Sequence, residues 1–378
     1  MMDTEKKRNS DKKGDYDKGE DIGEKKDADK KRIRKKIIIV AIEILVILLV
    51  LLAIAIGLKM SKVDSNNEIP KEELQKNELT VETKEVLEKY TTIALFGLDN
   101  RSNGDFEWGN SDVIMVASIN ESTKEVKLVS VYRDTYLNMT ENKGYKKANA
   151  AFANGGVEQA VNMLNVNLDL DIEDYVIVDF NAVATTVDLL GGVEIEVTDE
   201  EAFWMQMYID EMNDVLGENA RYLPGAGVYN MNGVQATAYA RVRYTAGDDY
   251  KRTERQRLVI QKMVEKALQS DLGTINAIID EVFGKIKTSF SMTEILMLAK
   301  DAFSYKMGEN AGFPFDQIAT NIGGKYGDVV IPLDLAGNVE QLHEFLYDTQ
   351  DYKVTETVQE ISDAIVTNTG WSADDIPN

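Results

Sequence analysis

The order of apolar and polar residues divides this chain into a polar start, one long apolar segment and a remainder of short alternating runs. The apolar segment covers residues 37–58, and its sole ionisable residue is Glu43. At about 1.5 Å of rise per residue, a helix of this length crosses the roughly 30 Å hydrocarbon core of a bilayer. A cleavable signal peptide would be shorter and would end at small residues, whereas Lys59 and Met60 follow here. We therefore predict one transmembrane helix at residues 37–58.

The flanks of this helix predict its orientation. Residues 30–36 form a basic block, and such a block stays cytoplasmic. Residues 1–36, rich in charge and poor in apolar side chains, are then expected to be a disordered cytoplasmic tail. Residues 59–90 are expected to be an extracytoplasmic stalk, with the rest of the chain outside the cell membrane.

After residue 90 the pattern alternates between short β-branched or aromatic runs and amphipathic stretches, which is typical of an α/β domain. We predict a mixed central sheet flanked by helices over residues 91–270. Residues 271–378 are expected to be a helical C-terminal part of the same domain. The predicted strands are 92–98, 113–119, 126–131 and 175–180, and the predicted helices are 157–164, 182–190, 200–215 and 252–269.

The composition excludes several kinds of catalytic site, metal site and cross-link. There is no cysteine and a single histidine, His343, so disulfides, thiolate nucleophiles, histidine triads and multi-histidine zinc sites are excluded. Residues 1–36 hold 14 Lys/Arg against 10 Asp/Glu; without these and Glu43, 28 Lys/Arg face 54 Asp/Glu, a net charge of -26. A domain this acidic repels nucleic-acid phosphates, so we expect no nucleic-acid partner.

Against that acidic background, arginines cluster in one region of the sequence. Residues 239–244 read as a strand, on which Arg241 and Arg243 share one face. Arg252 and Gln256 lie four residues apart and share the face of a following helix, near its anion-attracting N-terminus. Together these side chains suit a phosphate group, because guanidinium forks match phosphate oxygens. Surface salt bridges with the abundant carboxylates are the simpler alternative.

Acidic side chains stand at the ends of the predicted strands. Asp99 follows the first strand, Asp112 opens the second, and Arg133 with Asp134 follows the third. Carboxylates at such strand ends often build the site of an α/β domain, and near phosphates two of them suit Mg²⁺. Each one taken singly also fits a turn or a helix cap.

Seven ordered motifs together resemble the LytR-CpsA-Psr family of cell-wall glycopolymer ligases. The resemblance runs from about residue 91 to residue 261. It rests on GLDNR at 97–101, SDVIM at 111–115, SVYRDT at 130–135, KANAAFANGG at 147–156, DLLGGV at 188–193, NGVQA at 232–236, and ARVR at 240–243 with DYKRTERQ at 249–256.

This resemblance implies a membrane-anchored enzyme, its domain outside the cell, that moves a glycopolymer from an undecaprenyl pyrophosphate carrier to peptidoglycan with Mg²⁺ or Mn²⁺. By motif, Asp99 and Asp112 match the metal-holding acids, and Asp249 matches an acid that is supporting or basic. The matching pyrophosphate clamp, part of it catalytic, consists of Arg133, Arg241, Arg243, Arg252 and Gln256.

The chain departs from the family pattern at two positions. Asn110 stands where the family often has an arginine, so one cation of the clamp is in doubt. Tyr132 stands in place of a proline, which we interpret as a backbone variation.

The carrier lipid needs an apolar groove. Candidates are the helix after Phe180 and residues 203–208, whose methionines adapt to a long chain, although such a stripe also fits ordinary core. Polyprenyl pyrophosphate hydrolysis, transfer to a protein, and a non-catalytic role in regulation or envelope binding remain alternatives. The sequence does not indicate whether the polymer is teichoic acid or capsule.

Overall fold

The computed structural model describes residues 68–98, 106, 109–245, 248–301 and 304–375. The predicted tail, the predicted span at 37–58 and Asp99 lie outside these residues. Within the described ranges, we find no helix whose length and apolar character would allow it to cross a membrane.

Twelve strands and ten helices make up the described chain. The strands are β1 (Tyr90–Leu98), β2 (Ser111–Asn120), β3 (Glu125–Val131), β4 (Tyr136–Asn138), β5 (Tyr145–Lys147), β6 (Asp174–Val178), β7 (Val193–Val197), β8 (Gly227–Met231), β9 (Ile286–Thr288), β10 (Lys306–Phe313), β11 (Gln317–Asn321) and β12 (Asp328–Pro332). The helices are α1 (Val81–Leu87), α2 (Ala150–Leu168), α3 (Phe180–Leu189), α4 (Asp199–Leu216), α5 (Gly233–Arg241), α6 (Asp248–Leu268), α7 (Leu272–Val282), α8 (Met292–Lys300), α9 (Leu335–Tyr347) and α10 (Glu356–Thr369).

Six strands form a central sheet in the order β10-β3-β2-β1-β6-β9. Strand β1 runs antiparallel to β2 and parallel to β6, and β10 runs parallel to β3. The predicted mixed sheet is therefore confirmed. The remaining strands pair off as β4–β5, β7–β8 and β11–β12.

Alternating side chains of β1 point to two separate cores, as the two-residue period of a strand requires. Ala94 and Phe96 belong to the larger core, which α2, α9 and α10 cover. Ile93 belongs to a smaller core on the other face, against which Ile260 of α6 and Ile295 of α8 pack. Helices thus flank the sheet on both faces.

A third core lies between α3, α4, α5 and the β7–β8 pair. Helix α5 begins with a capping box, in which Asn232 caps the helix and Gln235 returns a bond to the Asn232 backbone. At Gly233 the helix touches α3 so closely that an added Cβ would lie 2.2 Å from the Ala184 carbonyl oxygen. The start of α5, and with it the position of Arg241 at its end, is fixed by this contact.

Three sequence predictions are corrected here. Residues 239–244 were predicted as a strand, but α5 continues through Arg241, because its strong N-terminal cap starts a helix whose apolar face enters the third core. The C-terminal part is not simply helical, since β9 and β10 complete both edges of the central sheet. The described end of the predicted stalk packs on the domain, with Leu74 and Leu87 buried in the larger core.

Candidate active site

Three arginines surround the carboxylate of Asp112, the second residue of β2. Arg133 donates to Asp112 Oδ1 at 2.9 Å, and Arg243 donates to Asp112 Oδ2 at 3.1 Å. The guanidinium of Arg252 lies 3.8 Å from Oδ2. The segment after β3, the loop after α5 and the start of α6 therefore meet at one carboxylate.

A second carboxylate, that of Asp249, ties two of the same arginines together. Arg252 lies 3.0 Å from Asp249 Oδ1, and Arg133 lies 3.6 Å from that oxygen. The three arginines and the two aspartates carry a formal charge of +1, so the cluster (Arg133, Arg243, Arg252, Asp112 and Asp249) is cationic within an acidic domain. We call it the arginine cluster.

Burial governs the electrostatics of the arginine cluster. Arg252 is only 2% exposed, and burial, opposed by Asp249 and reinforced by the charges of Arg133 and Arg243, lowers its pKa to about 10. At Arg133, burial favours the neutral form, yet Asp249, Asp112 and Asp134 together raise its pKa above the usual value. Both guanidiniums remain charged at neutral pH.

Among the described residues, the buried polar atoms without a hydrogen-bond partner include three of this region: Nε of Arg133, Nε of Arg252 and Oε1 of Gln256. Arg252 and Gln256 lie one turn apart on α6. Buried polar groups in proteins are nearly always paired, so these two donors and this acceptor suit a polar ligand. The predicted shared helix face of Arg252 and Gln256 is confirmed, since both line the same cavity.

That cavity has a volume of about 490 Å³, and both polar and apolar side chains line it. Its polar lining includes Asp112, Arg241, Arg243, Arg252 and Gln256. Its apolar part is lined by side chains of β1, β6, α3 and α6, namely Leu95, Val176, Val183, Val259, Ile260 and Met263. A ligand with an anionic group and a long apolar chain matches both parts.

Both predicted parts of the lipid groove reach this cavity. Phe180 lines it, and so do Met207 and Tyr208 from the run at 203–208. Met207 is 47% exposed, so it lies at the rim of the cavity and not inside a closed core.

Arg241 also lines this cavity. Its guanidinium is 4.5 Å from the centre of the Phe180 ring, and it donates to Glu211 at 3.2 Å. The structure thus brings Arg133, Arg243 and Arg252 together and sets Arg241 beside them on the cavity wall.

The structure describes the surroundings of Tyr132 and Asn110, the two residues that depart from the family pattern. Tyr132 packs edge-on against Tyr250 at 4.7 Å between ring centres, which joins the end of β3 to the start of α6. Arg133 follows Tyr132 and Asp249 precedes Tyr250, so the contact between the two rings also keeps Arg133 and Asp249 near each other. Asn110 is exposed directly before β2.

Arg255 lies within the last motif, yet its sequence position predicts no role for it. Arg255 is buried and donates to Glu201 at 2.8 Å, to the Val242 carbonyl at 3.0 Å and to the Thr245 hydroxyl at 2.7 Å. It thereby anchors the segment that carries Arg243. The spacing of Thr198 and Glu201 in the sequence predicts a capping box at the start of α4, but it does not indicate that Arg255 is the partner of Glu201.

Asp112 is the described carboxylate that the family resemblance assigns to a metal ion. No cluster of three or more acidic or histidine side chains able to hold a metal ion occurs among the described residues. Both Asp112 oxygens contact arginines, so an ion would bind there once phosphate oxygens had replaced Asp112 as the partner of those arginines. Carboxylate and phosphate oxygens are the ligands that Mg²⁺ prefers, so the donor chemistry fits.

A family model, described as the LytR_cpsA_psr family, matches residues 54–318. Among curated proteins, the chain is 30% identical over 212 residues to the polyisoprenyl-teichoic acid–peptidoglycan teichoic acid transferase TagU of Enterococcus faecalis, covering 56% of this chain and 65% of that protein. It is 26% identical over 266 residues to the corresponding transferase TagV of Bacillus subtilis, covering 65% and 66%. The chain thus spans slightly less than two thirds of these relatives.

Solved structures confirm the fold. A crystal structure of a Streptococcus agalactiae protein matches with a TM-score of 0.58 and 24% identity, covering 72% of this chain and 93% of that one.

Proposed function

Because this chain belongs to the LytR-CpsA-Psr family, we propose that it transfers a glycopolymer from a polyprenyl pyrophosphate carrier to peptidoglycan. The observation that supports this most is the meeting of three arginines at Asp112, which lines a cavity with many apolar side chains. Pyrophosphate fits the arginines and a polyprenyl chain fits the apolar part. The names of the curated relatives, which are teichoic acid transferases, support a teichoic acid as the polymer.

The reaction follows from the charges. A hydroxyl oxygen of the acceptor bonds to the phosphorus that bears the polymer, the bond from that phosphorus to the bridging oxygen breaks, and the hydroxyl proton passes to solvent water. Polyprenyl phosphate leaves with extra negative charge on that oxygen. Arg133, Arg243 and Arg252 stabilise this charge, and such stabilisation counts most in the transition state.

In the protein without substrate, these arginines form salt bridges with Asp112 and Asp249. We propose that phosphate oxygens replace the Asp112 carboxylate as partner of Arg133 and Arg243, while Asp249 keeps Arg133 and Arg252 in place. Gln256 and Arg241 complete the pyrophosphate contacts from α6 and from the cavity wall.

A divalent ion belongs to the proposal as well. Asp112, freed from its arginines, would hold Mg²⁺ or Mn²⁺ together with Asp99, and the ion would neutralise charge on the phosphate groups.

The chain is proposed to be anchored in the cell membrane with its domain outside the cell, on the sequence of residues 30–58. Protease added to intact protoplasts should then remove the domain, and complete protection would contradict this topology.

The activity is tested with the full chain, a lipid-linked oligosaccharide and a peptidoglycan acceptor. The expected product is peptidoglycan that carries the oligosaccharide phosphate. Free oligosaccharide phosphate in place of this product would identify a hydrolase, and the absence of any turnover would favour a binding or regulatory role.

A further inference from the structure

Three aromatic side chains, with Trp204 in contact with the other two, lie beside the arginine cluster. The rings of Phe203 and Trp204 on α4 are 5.1 Å apart, and the rings of Trp204 and Tyr244 are 4.8 Å apart. Phe203 is 62% exposed and Tyr244 is 55% exposed, whereas Trp204 is half-buried and packs against the third core. We call these three residues the aromatic ladder.

The aromatic ladder is continuous with the candidate active site. Tyr244 follows Arg243 directly in the chain, and both residues line the cavity. Tyr208 lies one turn after Trp204 on α4, and the centre of its ring is 5.5 Å from the guanidinium carbon of Arg241. The aromatic ladder therefore begins where the pyrophosphate is proposed to bind.

The two halves of the substrate must leave the pyrophosphate in different directions. The apolar cavity accepts the lipid, so the first sugar has to emerge at the rim, next to Arg243. Single exposed aromatic residues are common and need no explanation, but three in contact at this point form a continuous surface.

The chemistry of the aromatic ladder suits sugar rings. The C–H face of a pyranose packs against an aromatic face, and the polar edges of Trp and Tyr accommodate the hydroxyl groups around it. Glu200, exposed one turn before Phe203, adds a carboxylate that accepts hydrogen bonds from hydroxyls. The same carboxylate, together with the acidic domain, opposes contact with an anionic membrane surface.

We propose that the aromatic ladder is a sugar-binding subsite, which holds the first sugars of the glycopolymer while the arginine cluster holds the pyrophosphate. This inference rests on the proposed function and adds the glycan contact to it.

The test uses the full chain in detergent micelles and two probes: a short-chain polyprenyl pyrophosphate, and the same lipid carrying N-acetylglucosamine. Dissociation constants are measured for the wild type and for Phe203→Ala and Trp204→Ala. Both substitutions should weaken binding of the sugar-bearing lipid roughly three- to tenfold and leave binding of the bare lipid unchanged. Tyr222→Ala, at another exposed aromatic residue outside the aromatic ladder, is the matched control and should affect neither probe.

Phe203→Ala is the decisive variant, since its side chain is largely exposed and its removal should leave the fold intact. An equal loss for both probes would show contact with lipid in place of sugar and would overturn the inference. Unchanged binding of both probes by Phe203→Ala would also overturn it. If the wild type bound neither probe, or if Arg243→Ala bound both normally, the proposed function itself would fail.

Discussion

Arg243 donates a hydrogen bond to Asp112 at 3.1 Å, although 131 positions separate the two residues in the chain. The contact ties the loop after α5 to the start of β2. Since Arg133 occupies the other Asp112 oxygen, a single carboxylate arranges two guanidiniums before any anion is bound. These contacts are the salt bridges that the sequence offered as the simpler alternative, and the proposed pyrophosphate clamp would use the same arginines.

Replacing Arg243 with Ala should lower the transfer rate about a hundredfold or more, which is roughly 2 to 4 kcal/mol of barrier. The reason is that the guanidinium stabilises charge that develops on the leaving phosphate. Lysine should restore the rate only partly, because it keeps the charge and loses the planar fork. The measurement is transfer to peptidoglycan at saturating lipid-linked oligosaccharide.

Arg221→Ala removes an exposed arginine elsewhere and should leave the rate unchanged. Circular dichroism and melting of the Arg243 variants should stay near the wild type. A folded Arg243→Ala protein with the wild-type transfer rate would contradict the proposed mechanism.

Divalent metal binding should depend on pyrophosphate. Because arginines occupy both Asp112 oxygens, Mn²⁺ alone should bind weakly, and adding polyprenyl pyrophosphate should increase the bound fraction by releasing Asp112. The bound ion is measured by electron paramagnetic resonance, which is independent of turnover. Asp112→Asn should abolish the increase, and an equal signal with and without pyrophosphate would contradict the assignment.

Gly233→Ala should destabilise the protein by about 1 to 3 kcal/mol. The new Cβ would lie 2.2 Å from the Ala184 carbonyl oxygen, and backbone cannot move aside as a flexible side chain can. The free energy of unfolding is measured in denaturant. Gly284→Ala, where an added Cβ meets nothing within 4 Å, should change it by less than about 0.5 kcal/mol.

The elements that the sequence predicts correctly are those that depend on residues close together in the chain. Strands β1, β2 and β3 and helix α6 were predicted close to their observed bounds, because period-two and helical patterns are local. Arg133, Arg243 and Arg252 were predicted to share one site because each lies within one of the ordered motifs. The strand predicted at residues 239–244 failed because the same apolar residues also suit a capped helix.

Long-range contacts explain what the sequence could not reveal. Strand β10 joins the sheet beside β3, a partner almost two hundred residues earlier in the chain, and no local pattern announces that pairing. Arg255 reads as one more charged residue on an exposed helix, yet it is buried and bound to Glu201. Its role depends on α4 and α6 meeting, which is a property of the tertiary fold.

Arg255→Met should destabilise the protein by about 3 kcal/mol or more. The change removes three hydrogen bonds and leaves the partly buried Glu201 carboxylate without its arginine, and loss of one partner of a buried pair is costly. Thermal melting provides the measurement. The matched control is Lys251→Met on the same helix, since Lys251 pairs with Glu254 in solvent and should contribute little.

His343 provides a test of how burial controls stability. Its ring is fully buried in α9, stacks on Tyr352 at 3.7 Å between ring centres, and shares a hydrogen bond of 3.0 Å with the Leu168 carbonyl. Burial lowers the pKa of His343 to about 4, against smaller raising effects of the Leu168 carbonyl and of Asp169. The unfolded chain has an ordinary histidine, with a pKa near 6.5.

Between pH 6.5 and about 4 the unfolded chain binds a proton at His343 that the folded protein does not, so stability must fall as the pH falls through this range. The loss approaches roughly 3 kcal/mol near pH 4, at about 1.4 kcal/mol per unit, and above pH 6.5 His343 contributes no pH dependence. His343→Gln keeps a hydrogen-bond donor and does not titrate. Urea unfolding of both proteins at pH 7.5, 5.5 and 4.5 should show the wild type losing more stability than the variant. The difference between the two proteins cancels the shared effect of the many carboxylates. Curves that stay parallel across this pH range would mean that His343 titrates alike in the folded and unfolded states, and the buried, neutral ring would then be the wrong description.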